Sequence, residues 1–239
     1  MTNLPAGARR DLPESTEEGG ADVRPMIMLH NALRREFRLL PALVRGVPDA
    51  DTGRAQIVAG HIGFLTTILQ AHHHGEDVVL WPILLDRGPE EITPIVHVME
   101  GHHDQIDQLI KQIAATLTGW RASAGSAAGE SLADALDRLI VVLEEHLGME
   151  EERILPVAAK HVTPTEWDQM GKAAGAEVDP ALVPVGVGML MYEGDPEVVE
   201  VDMARMPPEV WATFKKTAPQ AYEAHCLRVH GTLPSRSVG

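Results

Sequence analysis

A chain of 239 residues can bury one large or two small cores without disulfide support, and its single cysteine, Cys226, excludes an internal bridge and fits a reducing cytoplasm. A net charge of -15, from 20 Lys and Arg against 35 Asp and Glu, disfavours nucleic acid and anionic membrane surfaces as partners. No apolar run is long enough for a membrane span and the first residues lack a signal-peptide core, so a cytoplasmic protein is expected. The 12 histidines outnumber the 4 Trp, 3 Phe and 2 Tyr together, and the functional reading turns on them.

In chain order, residues 1–22 are polar and carry no apolar period, which predicts a disordered leader. From Pro25, Ile27, Leu29, Leu33, Phe37, Leu40 and Val44 recur at helical spacing until Gly46. After the capping residues of Asp49–Gly53, Ile57, Ile62, Leu65, Leu69, Leu80 and Leu84 carry a second helix to Gly88. Thr93-Pro94 opens a third helix that runs to about Leu117. A loop of composition RASAGSAAG then precedes a fourth, from about Leu132 to Lys160. Pro82 and Pro156 are expected to kink or end their helices. Strand signals are missing from this region, so the expected fold class is all-α, an up-down-up-down four-helix bundle over residues 23–162. Residues 163–239 read as a helical C-terminal extension packed on the bundle, with helices near 165–174, 195–206 and 208–229 around the apolar stretch 182–192.

The bundle contains an internal repeat. His72-His-His-Gly-Glu76 with Pro82 matches His146-Leu-Gly-Met-Glu150 with Pro156, and His30 and His103 stand at equivalent distances upstream. Even the residue four before each of these is shared, Met26 and Met99. Residues four apart on a helix share a face, so His72 with Glu76, and His146 with Glu150, point into the same stretch of interior. The inward set is then four imidazoles and two carboxylates, which suits two ions about 3.5 to 4 Å apart. On this reading His30 and His72 serve one ion, His103 and His146 the other, and Glu76 and Glu150 bridge. Two ionised carboxylates in a core need a compensating charge, and basic residues are scarce beside these motifs. The lone cysteine excludes a thiolate site, and mixed imidazole and carboxylate donors suit iron, with manganese or zinc open.

These segments, together with Trp81-Pro-Ile-Leu84 and Ile154-Leu-Pro156, resemble the hemerythrin-like, HHE cation-binding family over about residues 25–162. The Ala-rich, Arg-over-Lys composition and the C-terminal extension resemble actinobacterial members. The resemblance implies two non-haem iron ions, oxo- or hydroxo-bridged, held by His30, His72, Glu76, His103, His146 and Glu150, and a small ligand: O2, H2O2 or NO. Oxygen-carrying members have a further histidine where this chain has Met99, and an aspartate five residues after the last histidine where this chain has Glu150 four after His146. Their three-and-two histidine asymmetry thus becomes two-and-two. That change favours catalase-like turnover of peroxide, or reaction with oxygen, over reversible carriage. The alternatives are a module that binds or senses oxygen, nitric oxide or iron without turnover, and iron storage.

Other residues read differently. His73 and His74 point about 100° and 200° away from His72 and are expected at the surface or behind the ligands. His61 is too far along the helix to share an ion with His72, and His225 and His230 are expected on exposed helix faces. His102 competes with His103, and Glu100 or Glu151 could reach the site. Met189, Met191 and Tyr192 are read as core packing or a lid. A haem bundle is disfavoured because no Cys-x-x-Cys-His occurs. The expected partners are small molecules, with no nucleic acid and no membrane, and a homodimer is left open.

Overall fold

The apolar stripe that begins at Met26 forms α1 (Arg24–Arg45), opened by Pro25, whose missing N–H has no partner to lose in a first turn. In this computed structural model, which describes residues 20–176 and 178–235, the Asp51 side chain caps α2 (Thr52–Gly75) by accepting from the Arg54 backbone N–H. α2 passes through one π turn, Glu76–Leu80, into α3 (Trp81–Arg87). A 3-10 turn at Glu90–Ile92 leads to α4 (Thr93–Ser123). α5 (Ser126–Met149) passes through a second π turn, Glu150–Ile154, into α6 (Leu155–His161).

Pro82 and Pro156, expected to kink or end their helices, do not end them: each helix passes through a π turn and goes on. A proline inside a helix removes an N–H and crowds the turn before it. Widening that turn by one residue absorbs the crowding: the Trp81 N–H bonds the Glu76 carbonyl and the Leu155 N–H bonds that of Glu150. Each wide turn starts on a glutamate of the repeat, so the proline that follows fixes the local backbone of the very residue proposed as a ligand.

The expected loop between the third and fourth helices is also shorter than composition suggests. It contracts to Ala124 and Gly125, with Ala124 in the left-handed region at φ 49°. Trp120 is buried against Gly129, where an added Cβ would meet the indole Nε1 at 3.0 Å. This packing pulls the Ala-rich segment into α5, which starts at Ser126 and not near Leu132.

α1 packs on α2 and α5, and α4 packs on α2 and α5, giving the up-down-up-down ring. The ligand-bearing turns separate two apolar cores. Leu33, Leu69, Ile106 and Leu143 belong to one; Met26, Leu80, Met99 and Ile154 belong to the other. Four more helices lie against the ring: α7 (Pro164–Gly175), α8 (Val183–Glu193), α9 (Pro196–Met203) and α10 (Pro208–His230). The apolar stretch at 182–192, to which the sequence reading gave no element, is α8. α7 sits on α2, α8 and α9 on α1, and α10 on α8 and α2. The leader expected over residues 1–22 lies outside the described residues up to 19, and the Ala21 N–H donates to the Val162 carbonyl at 2.9 Å. Among the described residues, no helix is long and apolar enough to cross a membrane.

Candidate metal centre

The six residues singled out by the repeat converge in the bundle interior, all of them buried. α1 supplies His30, α2 and its π turn supply His72 and Glu76, α4 supplies His103, and α5 and its π turn supply His146 and Glu150. Glu76 reaches both sides. Its Oε1 is 3.3 Å from His72 Nε2 and its Oε2 is 3.4 Å from His103 Nε2. Glu150 Oε2 is 3.4 Å from His30 Nε2 and 3.7 Å from His146 Nε2.

The side chains fall into two groups able to hold an ion, each with ligand atoms within 4.8 Å of one another: His30, His72, Glu76 and Glu150, and His73, Glu76, His103 and His146. His73 was expected outside the site. It is buried, and its ring stacks on that of His103 at a centroid distance of 4.0 Å. The expectation treated the inward direction as a single one. α2 occupies a corner of the ring with α1 on one side and α4 on the other, so two positions about 100° apart face two different neighbours. The second half of the repeat has Leu147 at this place, so the donor sets are unequal: three imidazoles in one group and two in the other. The two-and-two symmetry expected from the repeat is therefore not what the geometry gives. Of the remaining candidates, His74 and Glu100 are exposed and His102 is half-buried.

Two further carboxylates stand behind the histidines, and the repeat sets them too. Asp77, the residue after Glu76, places Oδ1 2.7 Å from His103 Nδ1 and also accepts from Trp81 Nε1. Glu151, the residue after Glu150, places Oε1 3.0 Å from His30 Nδ1 and accepts from Arg34. Each half of the repeat thus holds the Nδ1 of a histidine of the other half, which turns that ring's Nε2 inward. Sequence reasoning gave Glu151 only as an alternative ligand and missed Asp77; the signal was the paired Glu-Asp and Glu-Glu at equivalent places.

Burial, then the charge of Glu76, pushes Glu150 well above the ordinary carboxyl range, and burial raises Glu76. Burial and neighbouring imidazoles hold His72, His73 and His146 well below the usual value, so they are neutral donors. Burial would lower His103 as well, but Asp77 and Glu76 carry it up to about 9. Among the described residues, both oxygens of Glu76 and of Glu150, His103 Nε2 and both nitrogens of His146 make no hydrogen bond although all are buried. Buried polar atoms normally find partners, and this many facing one another without one fit a cation between them.

Residues 22–158 match the family model of the hemerythrin HHE cation binding domain. The chain belongs to the hemerythrin HHE cation-binding family. No curated protein and no solved structure matches it. The cation-binding role of the hemerythrin domain agrees with the donor groups described above, which lie inside the matched residues.

One side of the centre meets a cavity of about 390 Å³. α1, α2, α7, α8 and α9 line it, mostly with apolar side chains such as Leu29, Ile68, Met170 and Met189, and His72 is on its wall.

Proposed function

We propose that this hemerythrin-domain protein holds two non-haem irons between its helices and reacts there with peroxide or oxygen, decomposing H2O2 in a catalase-like manner. The observation that carries the reading is the pair of four-donor groups sharing Glu76, with buried carboxylate and imidazole atoms that make no hydrogen bonds. His30, His72 and Glu150 would hold one ion, His73, His103 and His146 the other, and Glu76 would bridge, with Glu150 close enough to His146 to assist. Two irons supply paired one-electron changes, which is the chemistry that dismutes peroxide to water and O2. Four protein donors per ion leave positions for a small ligand on each.

The chain's own groups prepare that reaction. Asp77 Oδ1 and Glu151 Oε1 keep the His103 and His30 rings turned with Nε2 inward. The cavity at His72, lined mostly by apolar side chains, would give an uncharged molecule of peroxide or oxygen size an approach to the centre.

Iron analysis of the purified chain should give two ions. With iron loaded, O2 evolution from peroxide should exceed that of the His146→Ala variant by at least tenfold. Equal rates in the two proteins would defeat the proposed turnover. A second reading, reversible binding or sensing of O2 or NO, is supported by the unequal donor sets and by the apolar cavity. It predicts a reversible spectral change on adding gas to the reduced protein, with no peroxide consumed.

A further inference from the structure

We propose a second and separate cation site, in which Glu36, His61 and His230 hold one divalent transition-metal ion where α10 meets the bundle. The three side chains come from α1, α2 and α10, and their ligand atoms lie within 4.8 Å of one another. Glu36 Oε2 is 3.3 Å from His61 Nε2 and 3.3 Å from His230 Nε2. Glu36 is 0% and His61 2% exposed, yet none of these three atoms makes a hydrogen bond among the described residues. His61 and His72 are three turns apart on α2, roughly 16 Å along its axis, so the two centres cannot share an ion.

The groups behind these atoms fix their direction. Glu36 Oε1 accepts from the Tyr222 hydroxyl at 2.6 Å and from Arg35 Nη2 at 2.9 Å, which turns Oε2 to the opposite side. His61 Nδ1 lies 3.0 Å from His225 Nε2. When His61 Nδ1–H donates across that contact, the His61 Nε2 lone pair faces the Glu36 carboxylate, and two lone pairs at that distance repel unless a cation lies between them. The arrangement repeats the logic of the first centre: Nε2 atoms facing a carboxylate without aligned hydrogen bonds, and Nδ1 held from behind.

Two imidazoles and one carboxylate select a zinc-class or ferrous ion over magnesium or calcium, which prefer oxygen donors, and leave room for one water. Because His230 is near the end of α10 and Glu36 lies in α1, an ion here would fasten the C-terminal helix to the bundle.

The test uses the full-length, iron-loaded protein with Co2+ as the probe. Equilibrium dialysis should show one Co2+ per chain taken up beyond the iron, with iron content unchanged, and the His61→Gln and His230→Gln variants should lose that Co2+ while keeping iron and helical circular dichroism. No added Co2+ in the wild type, or equal uptake in both folded variants, overturns the site. X-ray absorption at the cobalt edge of the wild type decides the matter if a variant fails to fold. Two imidazoles around the ion are expected, and neighbours without imidazole overturn the proposal.

Discussion

Asp77 Oδ1 stands 2.7 Å from His103 Nδ1, and its counterpart Glu151 Oε1 stands 3.0 Å from His30 Nδ1, so each half of the repeat aims a histidine of the other. Outer partners of this kind are worth about 10- to 100-fold in metal affinity. Asp77→Ala and Glu151→Ala should each weaken iron binding by a factor in this range in chelator competition, with the far-UV circular dichroism unchanged. Asp77→Asn, which keeps an acceptor for the His103 Nδ1–H, should recover part of the loss. Wild-type affinity in both alanine variants would mean that the rings are held by packing alone.

Glu76 should stabilise the protein with metal and destabilise it without. Its two oxygens are buried and lack hydrogen bonds among the described residues, and burial raises its carboxyl above the ordinary value. An unsatisfied buried acceptor costs about 1–3 kcal/mol. Urea unfolding of the metal-free proteins at neutral pH should therefore find Glu76→Gln more stable than the wild type by about that amount. With iron added the order should reverse, because the shared donor is gone. If iron raised both midpoints equally, Glu76 would not be the bridge.

His73 and His74 are adjacent in sequence and opposite in consequence. His73 is buried against His103 and His146, whereas His74 is exposed. His73→Ala should lower bound iron from two to about one per chain or less, and His74→Ala should leave it at two. Loss in neither variant would return the site to the two-and-two arrangement of the repeat.

Much of this was legible in the sequence because a duplicated motif writes the same chemistry twice. The spacing of His30, His72 and Glu76 against His103, His146 and Glu150 is periodic, and periodicity survives without coordinates. The all-α bundle was legible for the same reason, through its apolar stripes. What escaped depends on which helix faces which. His73 has no counterpart in the second half, so no repeat could flag it. His61, His225 and His230 come together only because α10 folds back on α2, a contact between segments far apart in the chain that no local pattern encodes. His225, expected on an exposed face, is buried there. The π turns were hidden because a proline inside a helix reads as a stop, and only the surrounding tertiary packing shows that the helix goes on.

The crossing of α8 and α10 depends on Gly188, and Cys226 can report on it. A Cβ at Gly188 would lie 2.2 Å from the Ala218 carbonyl oxygen and 2.7 Å from Tyr222 Cβ, neither of which can yield without moving α10. Overpacking of this kind costs about 1–3 kcal/mol. Cys226 is fully buried one turn beyond Tyr222, and burial pushes its thiol up to about 11. The thiolate is the reactive form, so the native protein at pH 8 should resist thiol reagents, and labelling should speed up as pH rises toward 11 or when the chain unfolds. In Gly188→Ala, α10 should lift from α8 often enough for Cys226 to label at pH 8 at least tenfold faster than in the wild type, with iron content retained. Equal labelling rates would show that the crossing tolerates a methyl group and that α10 is held elsewhere.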